Sequence, residues 1–463
     1  MLIPENGVWT IKSQVPTGAK SGILYSVDPD YFNEACEAAA TVTWESWARV
    51  YGSSGEPLEV IVRRAGPNDY GTVGASEYVG VHDDSGSSPP YQYFTPYLMK
   101  EYNCLNTKMT IQNSGDICTS IWIYYREQGT CQVLFAQHIE QIAPGEAIRI
   151  KLPNTIPQPF LGSGFITANA PLGIVVDQTT SGQSECSDRG SFLSYEGLPY
   201  TGDLNWYVPM AFREISGWET SIQIQNMTRQ SLPAFITADF MNSSGGKILF
   251  VGDWVSPYCS TTVYVPGIVD LGSDYTGGVE VQAHTQVDYP GNVVNGQLIG
   301  VVVDLKFQYH GEPSRLGPQA GSYVAHAQNQ IQGVNIFACP LVSKGHQSVT
   351  SQIGIRNHSN CNKIRPRINF YDETGGLVSS YVLSWLHPKQ IRLLDLETVG
   401  GLVSGWMGNA KILIEEGNIE QLCDVDTDGH TDEEPLLWSP VVINQGLPPG
   451  DHTGIYGCIA LSE

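Results

Sequence analysis

The chain has 463 residues, with 24 Lys and Arg against 47 Asp and Glu and a formal charge of −23. That balance, with no basic stripe to neutralise phosphates, argues against nucleic acid as a partner, and a 41% hydrophobic content argues against a disordered chain. No stretch is long and apolar enough for a membrane helix, whereas 49 Gly, 28 Pro and only 15% charged residues favour short strands joined by turns. In chain order, residues 1–80 read as a divergent or incomplete β domain. Met1 to Ser13 lack the charged start and apolar run of a signal peptide. Tyr31 to Ala40 reads as a short helix after Asp28-Pro-Asp30. Leu58-Glu-Val-Ile-Val-Arg63 is an apolar strand, and Ala75-Ser-Glu-Tyr-Val79 reads as a lead-in to the next domain.

Three segments then repeat one order of elements. Each opens on an alternating strand that ends in Asn: Thr107–Asn113, Thr220–Asn226 and Ser351–Asn357. Alternation of this kind marks a strand with one buried face. A second strand runs to a Gly turn at Gly129, Gly245 and Gly375, where glycine supplies the positive φ of a tight hairpin. A Pro turn follows at Pro144, Pro257 and Pro388. A Gly-rich bend and strand begin at Gly162, Gly277 and Gly405. Each copy closes on an apolar strand: Ile174–Gln178, Val301–Leu305 and Val441–Gln445.

Before every copy stands an aromatic residue and a proline: Phe94-Thr-Pro96, Tyr207-Val-Pro209 and Phe337-Ala-Cys-Pro340. Proline there reads as a domain edge where no ladder donor is needed. The linkers carry Gly190-Ser-Phe-Leu-Ser-Tyr195 and Gly321-Ser-Tyr-Val-Ala-His326, read as lead-in strands of the domain that follows. The expected fold class is all-β: tandem immunoglobulin-like β-sandwiches, three full copies behind the shorter N-terminal domain. The expected boundaries are 1–80, 81–185, 186–315 and 316–446, with a donor-like strand in 447–463. That last strand, Gly454 to Leu461, reads as a lead-in with no domain after it. Unpaired backbone is costly. It either adds to the N-terminal domain of the next subunit, which yields a head-to-tail fibre or sheath, or folds back on the last domain, with Cys423–Cys458 a candidate bridge. A third reading is a fragment of a longer array.

Ten cysteines without metal spacing point to disulfides in an oxidising compartment. Cys104 with Cys118 or Cys131, and Cys339 with Cys361, are the expected pairs. One acidic loop carries metal chemistry: Asp424, Asp426, Asp428, Gly429, His430, Asp432 and Glu433. Carboxylates at positions one, three, five and nine around a Gly at six match a calcium loop, with the His430 carbonyl at seven. Pro435 stands where a bidentate Glu belongs, so Glu433 or Glu434 is the substitute ligand. Bound Ca2+ there rigidifies and does not catalyse. The sequons at Asn226, Asn242 and Asn357 read first as Asx turns.

No catalytic signature is found: G-x-S-x-G, H-E-x-x-H, a P-loop and G-x-G-x-x-G are all missing. Trp44, Trp47, Trp206, Trp218, Trp254, Trp385 and Trp406 could stack on glycans if exposed, although large aromatics are mostly buried. The Q-N end of the first strand (R-N in the third copy), the strand leading to a Gly turn and the Val-rich closing strand resemble Ig-like repeats of large exported bacterial surface proteins, over roughly residues 94–445. The resemblance implies a cell-surface setting and nothing catalytic. The expected function is therefore a non-enzymatic structural subunit of an extracellular filament, sheath or surface layer, with itself as partner; the alternative is a monomeric adhesin or carbohydrate-binding module protein.

Overall fold

A computed structural model describes residues 61–67, 73–79, 89–180, 192–214, 217–228, 233–284, 287–288, 292–293, 298–307, 319–346, 348–421, 435–446 and 454–461. The described chain is nearly all strand, arranged in antiparallel sheets, which is the all-β class expected. Near the N-terminus, β1 (Ile61–Pro67) pairs with β2 (Val73–Val79). The expected helix at Tyr31 to Ala40 lies outside the described residues.

A first unit contains β3 (Tyr91–Tyr102), β4 (Leu105–Asn113), β5 (Thr119–Glu127), β6 (Val133–Ile142), β7 (Ala147–Lys151), β8 (Phe160–Ala168), β9 (Leu172–Thr180), β10 (Phe192–Glu196) and β11 (Leu198–Pro199). A second contains β12 (Asn205–Arg213), β13 (Trp218–Asn226), β14 (Ala234–Asn242), β15 (Lys247–Val255), β16 (Ser260–Tyr264), β17 (Tyr275–His284), β18 (Val287–Asp288), β19 (Asn292–Val293), β20 (Ile299–Phe307), β21 (Gln319–Val324) and β22 (His326–Ala327). A single turn of helix, α1 (Gln328–Ile331), leads into the third. That unit holds β23 (Ile336–Lys344), β24 (Val349–Asn357), β25 (Asn362–Ile364), β26 (Arg367–Tyr371), β27 (Leu377–Val382), β28 (Ile391–Asp395), β29 (Trp406–Leu413), β30 (Ile419–Gln421), β31 (Trp438–Gly446), β32 (Gly454–Gly457) and β33 (Ile459–Leu461).

Unit 2 is a sandwich-like pair of sheets, β15-β14-β17-β12-β22 and β16-β13-β20-β21, and unit 3 repeats it as β27-β26-β29-β23-β33 and β28-β24-β31-β32. Unit 1 has the same pairings, with a β3–β4 corner that fuses its two sheets into one. The ladders β18–β19 and β25–β30 are decorations. The alternating strands point their apolar side chains between the sheets: Met109 and Ile111, Ile222 and Ile224, Ile353 and Ile355 are all buried. Each such side chain contributes about 1.5–3 kcal/mol relative to exposure.

The strands expected to lead into the next domain pair instead with the unit before them. β10 pairs β9 and β11 pairs β3; β21 pairs β20 and β22 pairs β12; β32 pairs β31 and β33 pairs β23. The C-terminal strand is therefore not an orphan: β32 and β33 each pair along one side within unit 3 of their own chain, as in the fold-back reading of that segment. β1 and β2 pair in the same manner, with Tyr78 opposite Val62 as Tyr195 is opposite Val176, Tyr323 opposite Val303 and Tyr456 opposite Val442.

The prolines expected at domain edges sit in bulges inside a sheet. Register slips between Thr95 and Leu98, Val208 and Ala211, and Cys339 and Val342 place Pro96, Pro209 and Pro340 where a strand has no ladder donor to lose. The bulge leaves backbone groups unpaired, and a tyrosine from the last strand satisfies them. The Tyr195 hydroxyl donates to the Tyr97 carbonyl at 2.7 Å and accepts from its N–H at 3.1 Å. Tyr456 does the same for Leu341 at 2.6 and 3.1 Å. Tyr323 donates to the Met210 carbonyl at 3.4 Å. Beyond the bulge, the hydroxyls of Thr107, Thr220 and Ser351 accept from the N–H of Met99, Phe212 and Ser343.

The Asn markers are buried capping groups. Asn113, Asn226 and Asn357 donate to the carbonyls of Ile142, Val255 and Leu386, and accept from the N–H two residues on. These are the Asx turns expected. One register was misjudged: Ile353 pairs with Val442 and Ile355 with Pro440, so Pro440 rather than Val441 is the counterpart of Ile174 and Val301. A slip of one residue turns every side chain to the other face.

Disulfides join Cys131 to Cys259 and Cys339 to Cys458. These pairs overturn Cys104–Cys131, Cys339–Cys361 and Cys423–Cys458 as bridges. The first links unit 1 to unit 2; the second ties the link between β32 and β33 to β23. Among the described residues no cysteine is free, and no helix is long and apolar enough to cross a membrane.

Candidate functional site: the seams between units

The cores run on from unit to unit. Met227, Val302 and Ala320 of unit 2 pack in the core of unit 1, while Ile391, Val441, Ile443 and Ile455 of unit 3 pack in the core of unit 2. Each seam is made the same way. β3 packs on β13 and β20, and β12 packs on β24 and β31. The last strands of successive units also meet, β10 against β21 and β21 against β32. The five-stranded sheet of one unit thus seats the four-stranded sheet of the next.

The two seams use corresponding positions with different chemistry. At the first, Tyr258 follows Pro257 in the left-handed region at φ 66°. Its ring lies 4.7 Å from Phe165 and 6.3 Å from Phe94, with the Arg126 guanidinium 5.5 Å from its centre. Gln225 donates to the Gly164 carbonyl at 3.2 Å, Ser163 to the Tyr258 carbonyl at 3.3 Å and Thr262 to the Gln128 side-chain carbonyl at 2.9 Å. The Cys131–Cys259 bond crosses beside them. Asp304 of unit 2, fully buried, faces Tyr97 and Tyr195 of unit 1. One of its oxygens accepts from Ser322 at 2.6 Å and the other has no partner. Burial pushes its carboxyl up to about 6, against the pull of Lys306 and of the Ser322 hydrogen bond.

At the second seam, Lys389 takes the place of Tyr258 and Arg356 that of Gln225. Glu280, opposite Tyr207, takes the place of Phe165, opposite Phe94. Arg356 is fully buried and lies 3.3 Å from Glu280; Lys389 lies 3.0 Å from the same oxygen. Arg356 also donates to the Val208 carbonyl at 3.2 Å and Lys389 to the His358 carbonyl at 2.6 Å. Room for the guanidinium exists because position 278 is glycine, where a Cβ would collide with Arg356. Burial lowers the Arg356 pKa, countered by Glu280. The Tyr207 ring lies tilted 4.4 Å from His358, and the Ile391 N–H donates to the Ser243 carbonyl at 3.2 Å. Two cations on one carboxylate leave a buried positive excess, which carbonyl acceptors offset.

The sequence-predicted metal residues Asp424, Asp426, Asp428, His430, Asp432 and Glu433 lie outside the described residues, in the segment between β30 and β31. Among the described residues, no cluster of three or more His, Cys, Asp or Glu is placed to hold a metal. Of the tryptophans considered for glycans, Trp206, Trp218 and Trp406 are buried, Trp385 is half-buried under Lys363, and Trp254 is exposed. Trp44 and Trp47 lie outside the described residues. Sequence reasoning missed Trp122, which is exposed and stacked 4.3 Å from His138. It also missed every seam residue, because nothing local distinguishes a side chain that meets a neighbouring unit from one that meets solvent.

Searches against protein-family models, curated proteins and solved structures find no match to this chain.

Proposed function

We propose that this chain is a structural, non-catalytic subunit of an extracellular filament, sheath or surface layer, built from three immunoglobulin-like repeats behind a shorter N-terminal domain. The observation that carries this reading is the seam. It occurs twice with the same polarity, one face giving and a different face receiving. A heterologous contact of that kind propagates head to tail when copies of one chain make it. Copies join through such a seam and not by addition of the C-terminal strand, which is already used in unit 3. Disulfides that span units and unit ends suit an oxidising exterior. Calcium in the 424–434 loop belongs to the same reading as a stiffener of unit 3, and a chelator is then expected to lower its melting temperature. Sedimentation and negative-stain imaging at rising concentration test the assembly: polymers are expected, and a monomer at every concentration refutes it.

A monomeric glycan-binding adhesin is the second reading. It is favoured by the exposed pair Trp122–His138 and by the cross-strand row in which Phe235 lies 5.0 Å from Trp254 and 5.7 Å from His284. Binding on a glycan array by monomeric protein selects it over the first.

A further inference from the structure

β1 and β2 carry the same pairing as the last two strands of each four-stranded sheet, with Tyr78 at the position of Tyr195, Tyr323 and Tyr456. β2 also has their neighbours. It packs against β10, as β10 packs against β21 and β21 against β32, and it packs against β32 as well. Four equivalent strands therefore gather together, and β2 meets the last strands of all three units, β21 of unit 2 included.

Among the described residues no unit follows unit 3. Its five-stranded sheet nevertheless presents the positions that bear the seam elsewhere. Lys411, opposite Ala338, stands where Phe165 and Glu280 do. Asn369, opposite Lys411, stands where Tyr124 and Asp239 do. Both are half-buried, and Glu373 at the adjoining hairpin turn is exposed.

We infer that the contact of the β1–β2 hairpin with unit 3 is the joint between copies of this chain. Made within one chain, it closes the series on itself; made between chains, it opens the series into a head-to-tail polymer. The occupant of the unit 3 sheet face is the N-terminal part of a second copy, by continuity with the seam that the chain already makes twice. This rests on the assembly reading above and names the surface it uses.

Isotope mixing tests it on the unaltered protein. Chains carrying 14N and chains carrying 15N are mixed, concentrated and treated with a lysine-reactive cross-linker, and the assembled fraction is digested for mass spectrometry. Links between unit 3 and the segment 1–80 are expected between a 14N and a 15N chain, rising toward the statistical share as assembly proceeds. If an assembled fraction forms but those links join only chains of one isotope, or do not form, the joint lies elsewhere and the assembly reading stands. If no assembled fraction forms at any concentration, the assembly reading falls and the joint with it.

Discussion

Asp304→Asn is expected to stabilise the protein at neutral pH. The carboxyl is fully buried at the first seam, and its neighbours are Lys306 on its own strand, Ser322 on β21, and the rings of Tyr97 and Tyr195 from unit 1. Burial raises its pKa from 3.8 to about 6. A carboxyl whose folded pKa lies above its unfolded value favours the fold when protonated. That advantage is complete below pH about 4 and is lost as pH rises to about 6, with no further change beyond. Just over two pKa units correspond to about 3 kcal/mol. Asparagine keeps the acceptor for Ser322 and removes the charge, so the variant gains up to about 3 kcal/mol over the parent at pH 7.5. The gap closes toward pH 4.5. Urea unfolding of both proteins across pH 4.5–8, followed by hydrogen exchange in β20 and β21, reads it. A variant that is less stable at pH 7.5, or one whose gain does not vary with pH, refutes the reasoning.

Glu280→Gln leaves Arg356 and Lys389 buried together without their carboxylate; a loss of about 3–5 kcal/mol is expected, seen as early proteolysis between units 2 and 3. Tyr456→Phe removes the hydroxyl that serves both backbone groups of Leu341; it is expected to cost about 1–3 kcal/mol in chemical denaturation, with unit 3 affected first. Expression in a glycosylating host is expected to modify Asn242, at the end of β14, and to leave the fully buried Asn226 and Asn357 bare. Glycopeptide mapping decides this, and sugar on either buried residue contradicts the Asx assignment.

What could be read from the chain was local. Thr107 to Asn113 and its two counterparts alternate within seven residues, and their Asn and Thr or Ser side chains act on backbone a few residues away or at the end of an adjoining strand. Which unit owns the last strand was not legible. Tyr195 lies close in sequence to β12 but bonds to Tyr97, 98 residues earlier. The disulfides span 128 and 119 residues for the same reason. Pro96, Pro209 and Pro340 were correctly seen as residues that avoid a ladder, but a bulge and a domain edge satisfy that condition equally. The misplaced register of β31 came from matching Val-rich strings, which look alike when shifted by one.

The seams also bear on how the series keeps its order. If both used one chemistry, unit 2 could seat on unit 2 of another copy as well as on unit 1. Instead, the receiving turn carries an aromatic ring at Tyr258 and a cation at Lys389, and the giving sheet carries Phe165 and Glu280 to match. Exchanging partners would set Lys389 against Phe165 and leave Glu280 against Tyr258, burying a carboxylate without its cations. Uncompensated buried charge of this kind costs several kcal/mol, enough to reject the wrong neighbour. The disulfide at the first seam adds covalent memory to the same choice. The face of unit 3, with Lys411 opposite Ala338 at these positions, carries neither the ring nor the carboxylate that the two receiving turns meet.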